Sequence, residues 1–167
     1  MNFSNLKGLA TALCLALLAT GCANRNAYDY TVYKQNIPKS VLILPPLNST
    51  PEVKATYSML AQMSAPLAEA GYYVFPVALV DETFKQNGLT TARDIHDVSP
   101  AKLREIFGAD AALYVDIKSY GVTYAVIMSD VTVSAEARLV DLKAGQLLWD
   151  GKATASSSEQ RNNSGGG

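Results

Sequence analysis

The segment RDIHDVSP, residues 93–100, carries the chain's only histidine, His96, with Asp94 and Asp97 beside it. An imidazole flanked by carboxylates can hold a divalent cation or take up a proton, so these three residues are the first candidates for a metal or general-base site. Catalytic zinc normally takes three protein ligands. The chain offers no second histidine and only two cysteines, Cys14 and Cys22. The plainer expectation is a polar loop whose Asp and Ser residues cap the next helix. The stretch GQLLWDGKA, Gly145–Ala153, places five residues between its glycines where a phosphate loop has four, and Ala153 where Ser or Thr would reach Mg²⁺. No G-x-S-x-G elbow occurs. Asp81 and Glu82 fit a helix N-terminus, Asp110 a turn and Asp116 an exposed strand position; no spacing sets two carboxylates across a cleft. No catalytic constellation and no cofactor are expected.

The tyrosines point elsewhere. Tyr28, Tyr30 and Tyr33 crowd the segment YDYTVY, and Tyr120 and Tyr124 follow the strand that holds Tyr114. Side chains that join a large apolar ring to a polar tip are enriched at interfaces. Those five are the candidate interaction residues, whereas Tyr57, Tyr72 and Tyr73 are expected to fill core and rim positions. An arm laid on a sheet edge, or a partner strand in its place, would be β-augmentation.

The segment LLATGCANRN raises a different chemistry. Lys7 followed by the apolar run Leu9–Leu18 has the make-up of a secretory signal, and about ten residues are too few to span a membrane. Small residues then lead to Cys22. LATGC resembles the bacterial lipobox, with Ala19 where that pattern prefers Leu. The resemblance implies cleavage between Gly21 and Cys22 and acylation of Cys22 with chains such as palmitate. Two or three chains would hold the domain at a membrane firmly. Ala23 and Asn24 resemble the residues that follow the cysteine in lipoproteins of the outer membrane, which implies that membrane's periplasmic face and leaves surface display open.

The chain has 167 residues, 14 basic and 15 acidic; loss of Lys7 with the signal takes the net charge from −1 to −2. No basic patch stands out, which argues against nucleic acid. With Cys14 removed and Cys22 acylated, no disulfide can form, and a domain of this size needs none.

The elements expected to position these residues run β-α-β-α-α-β-β-β. Val41–Leu44 reads as a buried central strand closed by Pro45–Pro46. Val53, Tyr57, Leu60, Ser64 and Leu67 form a helical stripe over 52–70, with a kink or break at Pro66. A strand at Tyr72–Phe75 and a short helix closed by Gly88 follow; Ser99, Pro100 and Gly108 then bracket another helix. Leu113, Val115 and Ile117 alternate with Tyr114, Asp116 and Lys118, giving a strand with one dry and one wet face. DLKAG joins the last two strands. The expected organisation is a signal at 1–21, a lipidated tether and arm at 22–39, one α+β domain at 40–157 with its helices on one face of a mixed sheet, and a disordered tail at 158–167.

The phrases YDYTVYKQNIPKSVLILPPLN, PLAEAGYYVFPVALVDETFKQNGL, KLREIFGADAALYVDIKSYG and LVDLKAGQLLWDG resemble a family of bacterial outer-membrane lipoproteins without assigned activity. Its fold is similar to the TolB N-terminal domain and to the lipoproteins CsgG and LpoB. Family members continue with a Gly-rich apolar stretch, which implies a truncated chain here and leaves room for a self-association element. The resemblance implies an accessory component of an envelope transport or secretion assembly. The expected partners are the membrane, through acylated Cys22, a CsgG-like lipoprotein or transporter, or a second copy. Two alternatives stand beside this reading: a periplasmic enzyme with a metal or base site around Asp94, His96 and Asp97, and a binder of small envelope ligands.

Overall fold

The structure, a computed structural model, describes residues 28–124 and 129–156. The signal, Gly21, Cys22 and the tail at 158–167 lie outside the described residues. The elements are α1 (Thr31–Gln35), β1 (Ser40–Ile43), β2 (Leu47–Asn48), α2 (Ala55–Glu69), β3 (Tyr73–Val74), α3 (Val77–Gln86), α4 (Ala92–His96), α5 (Pro100–Phe107), β4 (Ala111–Tyr124), β5 (Ser129–Asp141) and β6 (Leu147–Ser156). They build one mixed sheet in the order β3-β1-β4-β5-β6, with β2 also paired to β4. β1 runs parallel to β3 and β4, and β4, β5 and β6 form an antiparallel meander.

The α+β class and the mixed sheet stand as the sequence reads; the layering is richer. Val41 to Leu44 are fully buried, because β1 is covered on both sides. On one face Leu42, Leu44, Ala112 and Tyr114 meet Val80 and Phe84 of α3, Ile95 of α4 and Leu103 of α5. On the other, Val41, Leu113, Val115 and Leu139 meet Val32 and Tyr33 of α1 and Met63 and Leu67 of α2. The helices therefore divide between the two faces instead of sharing one. Tyr114, expected on a wet face, is buried under α4, and the polar face begins only at Asp116.

Pro45–Pro46 interrupt the first strand without ending it. Ile43 pairs with Leu113, and after the prolines Leu47 pairs with Asp116, so one extra residue bulges out. β1 is pinned at its start by Asp110, whose Oδ2 accepts the N–H groups of Lys39 and Ser40 at 3.0 and 3.1 Å and the Ser40 hydroxyl at 3.2 Å. Burial alone would raise this carboxyl's pKa; the donors from Lys39 and Ser40, with Arg104 nearby, outweigh it and hold it below the usual range.

The stripe on α2 is shifted from the expected one. Leu60, Met63 and Leu67 face the core, whereas Val53 precedes the helix and Tyr57 is 59% exposed. Pro66 sits in the last turn of a continuous helix, where the lost backbone bond leaves little helix to break. α5 is capped as read, with the Ser99 hydroxyl accepting Lys102 N–H at 3.3 Å and Gly108 taking φ 69°.

Candidate interaction site around the tyrosine arm

Asp29 starts the arm's turn. Its Oδ1 accepts the Thr31 N–H at 2.9 Å and the Thr31 hydroxyl at 2.6 Å, which holds the carboxyl below its usual pKa range. The arm therefore turns into a short helix, α1, at Thr31. Tyr28 and Tyr30 do share a face: their rings lie 4.8 Å apart, and Tyr30 meets Tyr33 edge-on at 6.4 Å. The Tyr33 hydroxyl hydrogen-bonds to that of Tyr72, so the aromatic track runs from the arm to the strand region after α2. Burial, then the Tyr33 phenol, push Tyr72 up to about 12.

At its other end the arm reaches β6. The Tyr28 hydroxyl donates to Asp150 Oδ1 at 2.8 Å and accepts the Asp150 N–H at 2.9 Å. That N–H points away from β5, so the phenol occupies one position on the sheet's open edge. Between arm, α2 and sheet lies a cavity of about 300 Å³, lined by Tyr30, Tyr33, Tyr72 and Trp149 with an aliphatic floor that includes Val41 and Leu67. No charged side chain lines it. Trp149 is the only tryptophan of the chain, and its ring lies over Gly151: a Cβ there would fall 2.4 Å from the indole.

Tyr120 is set apart from this site. A register shift between Ile117 and Ser119 leaves Lys118 as an extra residue, after which Ser119 pairs with Ser134 and Tyr120 with Val133. Tyr120 lines an open polar groove of about 370 Å³ with Ser49, Thr50 and Lys118, and no residue lines both places. Tyr124 pairs with Ser129 in the ladder. The five tyrosines singled out in the sequence thus form one cluster, Tyr28–Tyr30–Tyr33, and a separate strand pair. Tyr57 and Tyr73 lie on the rim, while Tyr72 is drawn into the cluster.

Asp94, His96 and Asp97 lie on and just after α4 and not in a loop. Thr91 and Asp94 cap each other: the Thr91 hydroxyl donates to Asp94 Oδ2 at 2.6 Å and accepts the Asp94 N–H at 3.2 Å. His96 turns the other way. Its Nε2 lies 2.9 Å from the Pro45 carbonyl, which can only accept, so Nε2 carries the proton. The ring also meets Tyr114 edge-on at 5.2 Å, and Arg138 lies 5.5 Å from the Tyr114 ring centre. Burial, and secondarily Arg138, lower the histidine's pKa, while the Pro45 bond opposes them. Among the described residues no group of three or more His, Cys, Asp or Glu could hold a metal ion. His96 therefore serves the proline bulge, supplying the donor that a regular ladder would have given. Asp116, read as an exposed strand position, joins Glu136, Lys118 and Lys152 in an ion-pair ladder on the open face.

Asp150 and Trp149 escaped the sequence reading. Asp150 acquires its partner Tyr28 from the distant arm, and Trp149 packs against α1 and α2, also distant in sequence.

A family model described as "Putative lipoprotein GNA1162-like" matches residues 28–167. A protein of Neisseria meningitidis serogroup B (strain ATCC BAA-335 / MC58), named "Putative lipoprotein NMB1124/NMB1162", is 49% identical over 162 residues, covering 96% of this chain and 75% of its own. The crystal structure of lipoprotein GNA1162 from Neisseria meningitidis superposes with a TM-score of 0.69 at 56% identity, covering 72% of this chain and 83% of that one. More distant likenesses concern the fold alone. E. coli LpoB, solved by NMR, gives a TM-score of 0.51 at 16% identity over 79% of this chain and 72% of its own. The PelC dodecamer from Paraburkholderia phytofirmans gives 0.50 at 16% over 71% and 72%.

Proposed function

The chain belongs to the GNA1162-like lipoprotein family, and on that premise we propose that it is a non-catalytic, lipid-anchored interaction module of the periplasm. Acylated Cys22 holds it at the outer membrane. The tyrosine arm and the face beside it receive a protein partner within an envelope transport or secretion assembly, a CsgG-like lipoprotein or a transporter.

The observation that carries this reading is the arm itself. Tyr28 and Tyr30 are 40% and 44% exposed although their rings pack against one another and the arm is fastened to the domain. Aromatic surface held rigid at little further entropic cost is what a binding hot spot requires. His96 supports the non-catalytic part, because its protonated nitrogen is engaged with Pro45 and the Asp94 carboxylate is taken by Thr91.

The test is photo-crosslinking in the native envelope, with a photoreactive residue at Tyr30 and, as a control, at Lys102 on the opposite face. A recurrent adduct with a transporter or CsgG-like lipoprotein from Tyr30 alone is the expected result. Adducts only between copies of this chain would replace the assembly role with self-association. Substrate turnover abolished by His96→Ala would replace the whole reading with the enzymatic one. The cavity of about 300 Å³ favours a second reading, in which the same face binds a small apolar envelope ligand.

A further inference from the structure

The cavity under the arm has a lining that is almost wholly apolar and carries no charge. The Tyr33 and Tyr72 hydroxyls hydrogen-bond to one another, and aromatic rings and aliphatic side chains form nearly all of the remaining wall. A peptide would bring backbone N–H and C=O groups needing partners that this wall does not supply. An ammonium would meet aromatic rings, yet an aliphatic floor and no carboxylate in the lining. A hydrocarbon chain needs neither. At about 300 Å³ the space stands at the lower end of small-molecule sites, enough for a stretch of one chain and not for a whole lipid.

The position of the cavity selects the source of the chain. The aromatic track Tyr28–Tyr30–Tyr33 leads into it, and Tyr28 is fastened to Asp150, next in sequence to Trp149 in the cavity wall. Cys22 precedes Tyr28 by six residues, a reach of up to roughly 20 Å along an extended chain. We infer that one of the acyl chains on Cys22 lies along this track and inserts into the cavity of its own domain. The inference rests on the lipid-anchored reading of Cys22. The remaining chains stay in the bilayer and keep the molecule attached. The domain then does not swing freely on its tether.

The decisive experiment feeds cells producing the full-length protein a palmitate analogue with a diazirine on its chain, irradiates them, and maps adducts by mass spectrometry. The expected result is an intrachain link from the Cys22 lipopeptide to the peptides carrying Leu67 or Trp149, lost in Leu67→Phe, which fills the cavity while the thermal midpoint is retained. Labelled phospholipid on those peptides would overturn the assignment in favour of a membrane lipid. A Cys22 lipopeptide linked only to other membrane components would overturn it outright. An unmodified Cys22 in the N-terminal peptide mass is a distinct result: it removes the lipid-anchored reading itself, and this inference with it.

Discussion

Tyr28 and Asp150, 122 residues apart, hold each other through two hydrogen bonds, the phenol donating to the carboxylate and accepting the backbone N–H. The backbone bond alone would lower the phenol's pKa; the carboxylate's bond and charge, with burial, outweigh it and raise it. Tyr28→Phe removes both bonds and keeps the ring. Faster amide exchange over residues 28–36 is expected, with exchange in β4 and β5 unchanged. Unaltered exchange in the arm would show that α1 packing, not the clasp, holds it.

His96 supplies the donor for the Pro45 carbonyl. His96→Ala should cost about 1–3 kcal/mol, since a half-buried acceptor loses its partner. The histidine's pKa is lowered in the fold, so below about 6.5 the unfolded chain binds the proton first. Stability from this residue is complete above that value and is lost as pH falls through the lower folded pKa. Denaturant titrations between pH 7.5 and 5 should show that decline in the wild type and not in His96→Gln.

Trp149 lies over Gly151 so closely that a methyl group has no room. Gly151→Ala should drive the indole out of the cavity wall, at a cost of about 1–3 kcal/mol by analogy with overpacked cores. With a single tryptophan in the chain, a red-shifted emission reads the movement directly. An unshifted spectrum with unchanged stability would mean that the indole finds a second seat within the cavity.

Tyr72, pushed up to about 12, should be among the last phenols to ionise. Its folded pKa exceeds the ordinary value of about 10, so its contribution is intact below pH 10 and is lost as pH rises toward 12. Ultraviolet titration of wild type against Tyr33→Phe should show the highest tyrosine transition move down when its partner is removed. Coincident curves would mean that burial alone, and not the Tyr33 phenol, holds Tyr72 up.

The parts of this fold legible in the sequence are those governed by near neighbours. Ser99, Pro100 and Gly108 bracket α5 because capping needs only residues three or four apart. Ala135, Ala137 and Leu139 fall on one face because strand periodicity is local. Three features depend on the tertiary arrangement and differ from what local pattern implies. Pro45–Pro46 do stop regular pairing, but whether the chain resumes as β2 depends on β4 beside it and on His96 arriving from α4. Tyr114 alternates like a solvent-facing residue and is buried because α4 lies over it. The bulge at Lys118 reverses which face Tyr120 occupies, and one residue of register leaves no mark in composition. At the candidate site, clustering of Tyr28, Tyr30 and Tyr33 was visible; their fastening to Asp150 and Tyr72 was not.

The order in which strands meet adds a further consequence. β4, β5 and β6 are consecutive hairpins that can form from nearby chain, whereas β1 must find Ala111–Leu113 across a long intervening segment. The Tyr28–Asp150 clasp spans more sequence still, and it cannot close before β6 exists. The first aromatic residue of the described chain therefore waits on nearly the last strand before it can be seated. An arm at rest on β6 reports that the final strand of the meander is in place.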